Sequence, residues 1–384
     1  MKILMIAIPN HHFFQWVNQM EGSRHEVFWF DVTDGGPRSE KISWVTQIKG
    51  WKLRWDYPLR SFVKQRSAIL YRFIQKINER NVEDAFAKVF KEINPDIVHC
   101  FEMKLAGLPI LSQLQLSEKP LLYSSWGSDM FAYKELGVTR EETTTFLSRV
   151  DGLITDCHRD YKIAREHSFK GEFLGVFPGN GGIDINTTTI KETQERNYIL
   201  IKGYEDGTGK AGVILEALTL VSPVLLKGKK IVIYSADNVL VDQVAHSEIL
   251  VGLDITIHSR YAFIKNTELL KLMGQSILHI ANSVSDGMPN ALLEAMGMGA
   301  FPIQSNPGNV TQEVITNGQN GFLIQDPYNS KGIARLIEEA LKDESLRSRA
   351  QQFNTAFIRK NYNRSILRSK IESLYHQAYN NHNS

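Results

Sequence analysis

The stretch from Ser276 to Gln304 constrains the fold more than any other part of the chain. It opens with Ser276-Ile-Leu-His-Ile-Ala-Asn282, a short apolar run of strand type. Asp286 and Gly287 fall in the loop that follows. Pro289 suits the first helical position, where its missing N–H is not needed. Asn290 to Met298 reads as a helix that Gly299 can end. Phe301 to Gln304 is a second strand-type run. Strand, helix and strand in that order imply parallel strands joined by a crossover helix.

The rest of the chain repeats this alternation. Strand-type runs occur at Lys2 to Ile8, Glu26 to Phe30, Asp96 to Cys100, Leu121 to Ser124 and Gly152 to Thr155. Trp16 to Met20 and Val82 to Ile93 have helical patterning, the latter ending before Pro95. Residues 175 to 185 are glycine-rich and 186 to 197 are polar without a period, which marks a junction. A second series follows at Tyr198 to Ile201, Lys230 to Tyr234, Asp254 to His258, Ile277 to Ala281, Phe301 to Gln304 and Gly321 to Ile324. Ile333 to Leu341, Leu346 to Phe357 and Arg364 to Tyr379 are helical. With 384 residues, the expectation is two doubly wound α/β domains, 1–185 and 186–360, then a C-terminal helix in 361–384. Ligands of such sheets bind at the carboxyl ends of the strands.

Chemistry concentrates at the start of the Asn290 helix. The first-turn N–H groups and the helix dipole make an anion site there. Glu294, one turn in, can accept two hydroxyl hydrogen bonds at once, which suits a ribose diol. Asp286 sits one loop away, where a sugar attached to a bound phosphate would lie. The set suggests a nucleotide-sugar site.

An acid, seven residues, a Glu, then Ala-Met-x-x-Gly-x-Pro resembles the donor motif of the retaining GT-B glycosyltransferases of family 4. Asp286 stands where Glu is commoner. Ser285-Asp286-Gly287 with Gly299-Ala-Phe-Pro-Ile-Gln-Ser305 is similar to a polysaccharide-assembly branch that uses Asp. The resemblance extends from Met1 to about residue 380. It implies two Rossmann-like domains facing across a cleft, with the last helix returning to the first domain. It implies transfer of a sugar from a nucleotide diphosphate to a hydroxyl of a glycan or lipid-linked acceptor, with retention. The leaving phosphate would take the acceptor proton on the front face. Asp286 would hold the sugar and Glu294 the ribose. Gly287, Met288 and the backbone at Asn290, Ala291 and Leu292 would line the phosphate site. The family's diphosphate-gripping Arg and Lys fall near Ile199-Leu-Ile-Lys-Gly-Tyr-Glu-Asp-Gly-Thr-Gly-Lys210. Lys202 and Lys210 are the candidates, at an altered spacing. Lys210 is the stronger match because Ala211-Gly212-Val-Ile-Leu-Glu216 looks like the family's following helix. Ser124-Ser-Trp-Gly-Ser-Asp129 resembles the family's His-Gly-x-Asp segment, with Trp126 in place of His. Asp129 would be catalytic support or a cap for the helix from Met130.

Further candidates lie at other strand ends. His12 and Trp16 are one helical turn apart after the first strand, on the expected acceptor side. Glu102, next to His99, is a candidate acceptor-hydroxyl contact. Arg260 and Tyr261 are candidates to edge or stack on the base. His279, inside an apolar strand, reads as a core histidine.

Composition excludes other classes. Cys100 and Cys157 are the only cysteines, too few for a disulfide framework or a cysteine metal site. No run of about eighteen apolar residues exists. Ile3 to Ile8 is too short for a signal-peptide core, so a buried first strand and the cytoplasm are expected. There is no Asp-x-Asp triplet, the manganese motif of the other large glycosyltransferase fold. Lysines and the helix start would meet the diphosphate charge without a metal or other cofactor. From Lys41 to Arg80 ten bases oppose two acids, with Trp44, Trp51, Trp55, Tyr57 and Phe62 interleaved. That pattern suits either an anionic membrane surface or a solvated helix face with its aromatics turned inward. Nucleic acid is not expected, because no binding motif accompanies the patch. The rivals are a nucleotide-sugar epimerase of the same architecture and a two-domain binding protein. A nicotinamide enzyme is disfavoured, because no Gly-x-Gly-x-x-Gly follows the first strand.

Overall fold

The computed structural model describes residues 1–55, 60–185, 187–262 and 264–382, with main chain only at 60, 61, 64, 68 and 187. The chain divides into two compact units. The first comprises Met1–Thr155, Asp160–Gly181 and Arg368–Ser384; the second comprises Asp156–Arg159 and Gly182–Leu367.

The first unit is built on seven strands: β1 (Lys2–Ala7), β2 (Glu26–Asp31), β3 (Thr46–Ile48), β4 (Ile97–Phe101), β5 (Leu121–Ser124), β6 (Gly152–Thr155) and β7 (Glu172–Val176). Their order is β3-β2-β1-β4-β5-β6-β7, and neighbours run parallel. The second unit has β8 (Tyr198–Lys202), β9 (Lys230–Ala236), β10 (Asp254–Ser259), β11 (Ser276–Ala281), β12 (Phe301–Ser305) and β13 (Phe322–Ile324), in the order β10-β9-β8-β11-β12-β13, again parallel. Both units are therefore doubly wound Rossmann-like sheets, as the alternation of elements implied.

Parallel strands under helices on both faces bury both sets of side chains, so they read as continuous apolar runs. All of β11 and all but the first residue of β1 are buried. The helices are cut by side-chain caps. Asn81 accepts from the Glu83 N–H at 2.8 Å to start Val82–Ile93, and Asn94, at φ +47, ends it before Pro95. Asn329 accepts from the Gly332 N–H at 2.9 Å to start Ser330–Lys342. That helix lays Ile333, Ala334, Ile337 and Ala340 on the core at helical spacing.

Two edge strands were not legible in the sequence. β3 has three residues inside the basic segment, and β7 has its apolar run interrupted by Gly175. The first helix, His11–Val17, is capped by Asn10, and a 3₁₀ turn at Asn18–Met20 continues it.

The C-terminal helix, Arg364–His382, buries Ile371, Leu374, Tyr375 and Ala378. The Tyr375 hydroxyl accepts from the Trp16 Nε1–H at 3.2 Å and meets His99 Nδ1 at 2.9 Å. His99 Nε2 lies 2.9 Å from Ser124 Oγ. Burial holds the His99 imidazole down to a pKa of about 3, so this network is a neutral tie within the first unit. Trp16 is accordingly a core residue and lines no surface with His12.

The basic segment is divided. Trp51 is buried, stacked on Phe30 at 5.2 Å, and Trp44 donates to Asn18 Oδ1 at 2.9 Å. Trp55 and Phe62 are exposed. Asp56 and Tyr57, and the side chains of Arg60 and Lys64, lie outside the described residues. The helix Ala68–Asn78 turns Tyr71, Ile74 and Asn78 inward. Its outer face carries Ile69 at 84 % exposure and Phe73 at 63 %, with Leu70 and Ile77 beside Arg72 and Lys76. No helix among the described residues is long and apolar enough to cross a membrane.

Candidate functional site

The strand order of the second unit reverses between β8 and β11. Loops from such neighbours diverge to opposite faces and leave a crevice at the carboxyl ends. Lys202 is the last residue of β8, and the loop with Asp286 follows β11.

The two loops are zipped together. The Lys210 N–H donates to the Asn282 carbonyl at 2.9 Å and the Val284 N–H to the Thr208 carbonyl at 3.0 Å. Asn282 Nδ2 donates to the carbonyls of Lys210 and Pro327 at 3.2 and 2.7 Å. A Cβ at Gly209 would lie 2.3 Å from the Tyr204 carbonyl oxygen, so this tight loop admits only glycine there.

In the Asn290–Gly297 helix Pro289 is the N-cap, with extended backbone and no side-chain cap, one residue before the first helical position expected for it. The Leu292 N–H donates to the Pro289 carbonyl at 3.0 Å, so the N–H groups of Asn290 and Ala291 lead the turn. Met288 and Leu292 pack their side chains against Leu293 and Met296, which leaves main chain as their only approach to a ligand. The helix ends in a Schellman motif. The Ala300 N–H reaches the Ala295 carbonyl at 2.9 Å and the Gly299 N–H the Met296 carbonyl at 3.0 Å, with Gly299 at φ +77.

Asp286 and Glu294 both ionise with difficulty. Burial raises the Asp286 carboxyl, opposed by the Lys202 ammonium, the Gly287 N–H and the Arg159 guanidinium. Burial pushes Glu294 up to about 7, opposed by Asn266, Arg364 and Lys202. Asn266 Nδ2 donates to Glu294 Oε1 at 3.1 Å. Lys202 thus acts electrostatically on both acids, and its Nζ lies 4.5 Å from the Tyr204 ring centroid. Lys210 Nζ is exposed, donating to the Gly207 carbonyl at 2.8 Å, 5.7 Å from the Tyr328 ring.

Arg260 stacks on Tyr204 at 4.2 Å and pairs with Asp206 at 2.8 Å, while Tyr261 stands exposed. His279 is fully buried, with Nε2 2.9 Å from the Tyr234 hydroxyl, as a core histidine should be.

Three neighbours of the acids were missed in the sequence. Arg159 Nη1 donates to the carbonyls of Asp286 and Pro307 at 2.9 and 3.0 Å. Arg364 pairs with Asp184 at 3.2 Å. Asn266 opens the helix before β11. They come from segments 28 to 127 residues away from the acids they meet, and no spacing rule connects them. An Asn at a helix start leading into the site strand was the one available signal.

The strand order of the first unit reverses between β1 and β4. His12 follows β1 and Glu102 follows β4. His12 is exposed, its ring centroid 6.1 Å from that of Trp126, which lies 5.2 Å from that of Phe101. Glu102 has φ +74, costly for a residue with a Cβ, and its carboxylate accepts from the Leu105 N–H. Burial raises its pKa, opposed by backbone N–H groups and Lys104.

Asp129 is buried inside the short helix Ser128–Phe131, whose N-cap is Gly127. It is therefore not the N-cap residue of that helix. Its carboxylate accepts from the Tyr123 hydroxyl, from the Met103 N–H at 3.1 Å and from the Trp126 N–H at 3.0 Å. Burial and the nearby Glu102 charge hold its pKa well above the usual carboxylate range.

Comparisons with known proteins agree with this architecture. Residues 2–156 match the family described as Glycosyl transferase 4-like, and residues 256–356 match Glycosyl transferases group 1. No curated protein sequence matches the chain. Among solved structures, sucrose-phosphate synthase from Thermosynechococcus elongatus is similar at a TM-score of 0.71 and 14 % identity, over 98 % of this chain and 99 % of that one. The Anabaena protein HepE, solved in complex with UDP, is similar at 0.68 and 12 %, over 98 % and 100 %. A glycosyltransferase from Rickettsia africae is similar at 0.64 and 14 %, over 98 % of each chain. With its two Rossmann-like units of GT-B type, the chain belongs to the group 1, family 4-like glycosyltransferases.

Proposed function

We propose that the protein is a retaining, metal-independent glycosyltransferase. It moves a sugar from a nucleoside diphosphate sugar to a hydroxyl of a glycan or lipid-linked acceptor in cell-surface polysaccharide or glycolipid assembly. The observation that carries this reading is the convergence of Lys202, Asp286 and Glu294 at the β8–β11 reversal. HepE has been solved with UDP, with UDP-glucose, and with UDP and glucose, so a uridine nucleotide is the first donor to test.

In this reading Glu294 accepts both ribose hydroxyls, and Asn266 fixes its rotamer. The N–H groups of Asn290 and Ala291 and the ammonium of Lys202 meet the diphosphate, with Lys210 as a second cation. Gly287, Met288 and Leu292 shape the pocket through main chain. Asp286 binds the sugar hydroxyls and opposes the positive charge that develops on the ring. The bond from the anomeric carbon to phosphate breaks as the acceptor oxygen bonds the same face. The acceptor proton passes to the leaving phosphate oxygen. His12, Glu102 and Trp126 contact the acceptor. Asp129 positions Trp126 and the chain at Met103 through its three hydrogen bonds.

We also propose that the Ala68–Asn78 helix docks the protein on the anionic inner face of a membrane. Its outer face is apolar, where a solvated helix is polar. The segment around it carries a surplus of eight positive charges, while the rest of the chain is net acidic. Cations beside an exposed apolar stripe suit the headgroup layer.

A transfer assay with UDP-sugars and saccharide or lipid-linked acceptors, with the product anomer read by NMR, tests the reaction. An inverted product overturns retention. Complete loss of activity in EDTA, restored by manganese, overturns metal independence. Epimerised donor without transfer overturns the whole reading.

A further inference from the structure

His25, Glu372 and His376 form a second cluster in the first unit, away from the strand ends discussed above. Their ligand atoms all lie within 4.8 Å of one another. His25 precedes β2, at the amino end of that strand, whereas His12, Glu102, Trp126 and Asp129 follow the carboxyl ends of β1, β4 and β5. Glu372 and His376 are four residues apart on the C-terminal helix, so they share one face.

Two anchors fix that face. Arg368, one turn before Glu372, donates to the Glu21 carbonyl. Tyr375, on the adjoining buried side, bonds Trp16 and His99. The helix cannot slide without breaking both, so the pair is presented to His25 in a set geometry.

His25 is the unusual member. Both its ring nitrogens are shielded from solvent, and neither has a hydrogen-bond partner. Such a group costs free energy and calls for an explanation. Its ring centroid lies 4.9 Å from that of His376.

We propose that His25, Glu372 and His376 bind a zinc ion that staples the C-terminal helix to the amino end of the first sheet. Two imidazole nitrogens and one carboxylate oxygen are a ligand set zinc accepts, at about 2.0–2.2 Å and in tetrahedral geometry, with water in the fourth position. Ligand atoms in that geometry are about 3.4 Å apart. His376 is exposed and Glu372 half-buried, so rotations of their side chains can close the remaining gap. The ion joins residues separated by some 350 positions, and its role is stability. The transfer reaction does not pass through it.

The test uses the full chain, stripped with chelator and dialysed. Calorimetry with zinc chloride is expected to give one site per chain, and zinc is expected to raise the melting temperature. Cobalt substituted for zinc is expected to show the visible absorption of a tetrahedral site. His376→Ala and Glu372→Gln, both at the protein surface, should fold normally and bind UDP as wild type does. Each should lose at least tenfold in zinc affinity, since even changing a residue that only hydrogen-bonds a ligand costs about 10–100-fold at such sites. Zinc binding that persists unchanged in both variants overturns the proposal, as does the absence of any saturable zinc site in the wild type.

Discussion

The Arg159 guanidinium donates to the main-chain carbonyl of Asp286 at 2.9 Å and to that of Pro307 at 3.0 Å. One buried cation thus fixes the loop that carries the acid proposed to meet the donor sugar. Its own backbone N–H is held in turn by Glu313 at 2.9 Å.

Replacing Arg159 with Met keeps the apolar stem and strands both carbonyls. Each hydrogen bond to a charged group contributes about 1.5–3 kcal/mol, so a loss of about 2–4 kcal/mol in stability is expected. Activity should fall as well, with kcat affected more than KM, because the loop rather than the nucleotide is released. Arg159→Lys can satisfy one carbonyl and should recover part of both. Chemical denaturation and steady-state kinetics on the same preparations check this. A Met variant with wild-type kcat would show that the loop needs no such clamp.

Glu294 sets stability against binding. Its folded pKa is raised from 4.5 to about 7, so ionising it penalises the folded state. The penalty is absent below pH 4.5, grows as pH rises toward 7 and is complete above. Glu294→Gln should therefore stabilise the ligand-free protein at pH 8 by up to about 3 kcal/mol, at about 1.4 kcal/mol per pKa unit, and much less at pH 5. It should weaken UDP binding, because an amide accepts at only one atom. In the wild type, hydroxyl donors favour the carboxylate, so binding at pH 6.5 should release protons. Calorimetry in buffers of different ionisation enthalpy reads this directly. Proton release that persists in the Gln variant would assign it elsewhere.

The two candidate lysines separate by what they face. Lys202 acts on Asp286, Glu294 and His279, whereas Lys210 donates to its own loop at Gly207. Lys202→Met should therefore cost more in UDP affinity than Lys210→Met, by roughly tenfold or 1.4 kcal/mol. Equal losses would make the pair a joint clamp.

The fold was legible because the central parallel strands are buried on both faces, and such strands announce themselves as apolar runs. β11 and its helix were readable almost residue by residue, through Pro289 at the start and Gly299 at the end. What escaped notice was short or long-range. β3 is too brief to show a period, and β7 carries Gly175 within its run. At the site, Asp286, Glu294 and Lys202 lie beside strand ends that the pattern locates. Arg159, Asn266 and Arg364 reach the same place only after the chain has folded. Trp16 shows the converse limit: its spacing from His12 was right, but an indole of that size fills the core and bonds Tyr375 instead.

The outward face of Ala68–Asn78 gives a test at the membrane. Binding to phosphatidylglycerol vesicles should exceed binding to phosphatidylcholine vesicles and fall as salt rises, since attraction is screened over about 8–10 Å at physiological ionic strength. Ile69→Ser with Phe73→Ser should weaken vesicle binding tenfold or more while leaving UDP affinity intact. Arg72→Gln with Lys76→Gln should remove mainly the preference for anionic lipid. Equal partitioning onto both vesicle types overturns the docking. So does a stable dimer that the Ser variants dissociate without any change at vesicles, because the face would then belong to a second copy of the chain.

Asp286 carries the sharpest prediction. The residue is held by a main-chain clamp at Arg159 and by the Gly287 N–H at its own carboxylate, with Lys202 as the opposing charge. Burial raises its pKa, so the site withholds the solvation that would otherwise stabilise the anion. An anion kept in that condition gains most when positive charge appears beside it, as it does on a sugar ring losing its phosphate. The interaction is stronger in the transition state than with bound donor, so it should appear in the rate. Asp286→Asn preserves volume and leaves the clamp at the main chain untouched. Its kcat should fall on the order of 10²–10³, while affinity for UDP changes little. Asp286→Glu adds one methylene but restores the charge, and should retain more activity than Asn. Kinetics with a UDP-sugar, set beside calorimetry with UDP alone, separate the two effects. Collapse of UDP binding with unchanged turnover would move Asp286 from the sugar to the nucleotide.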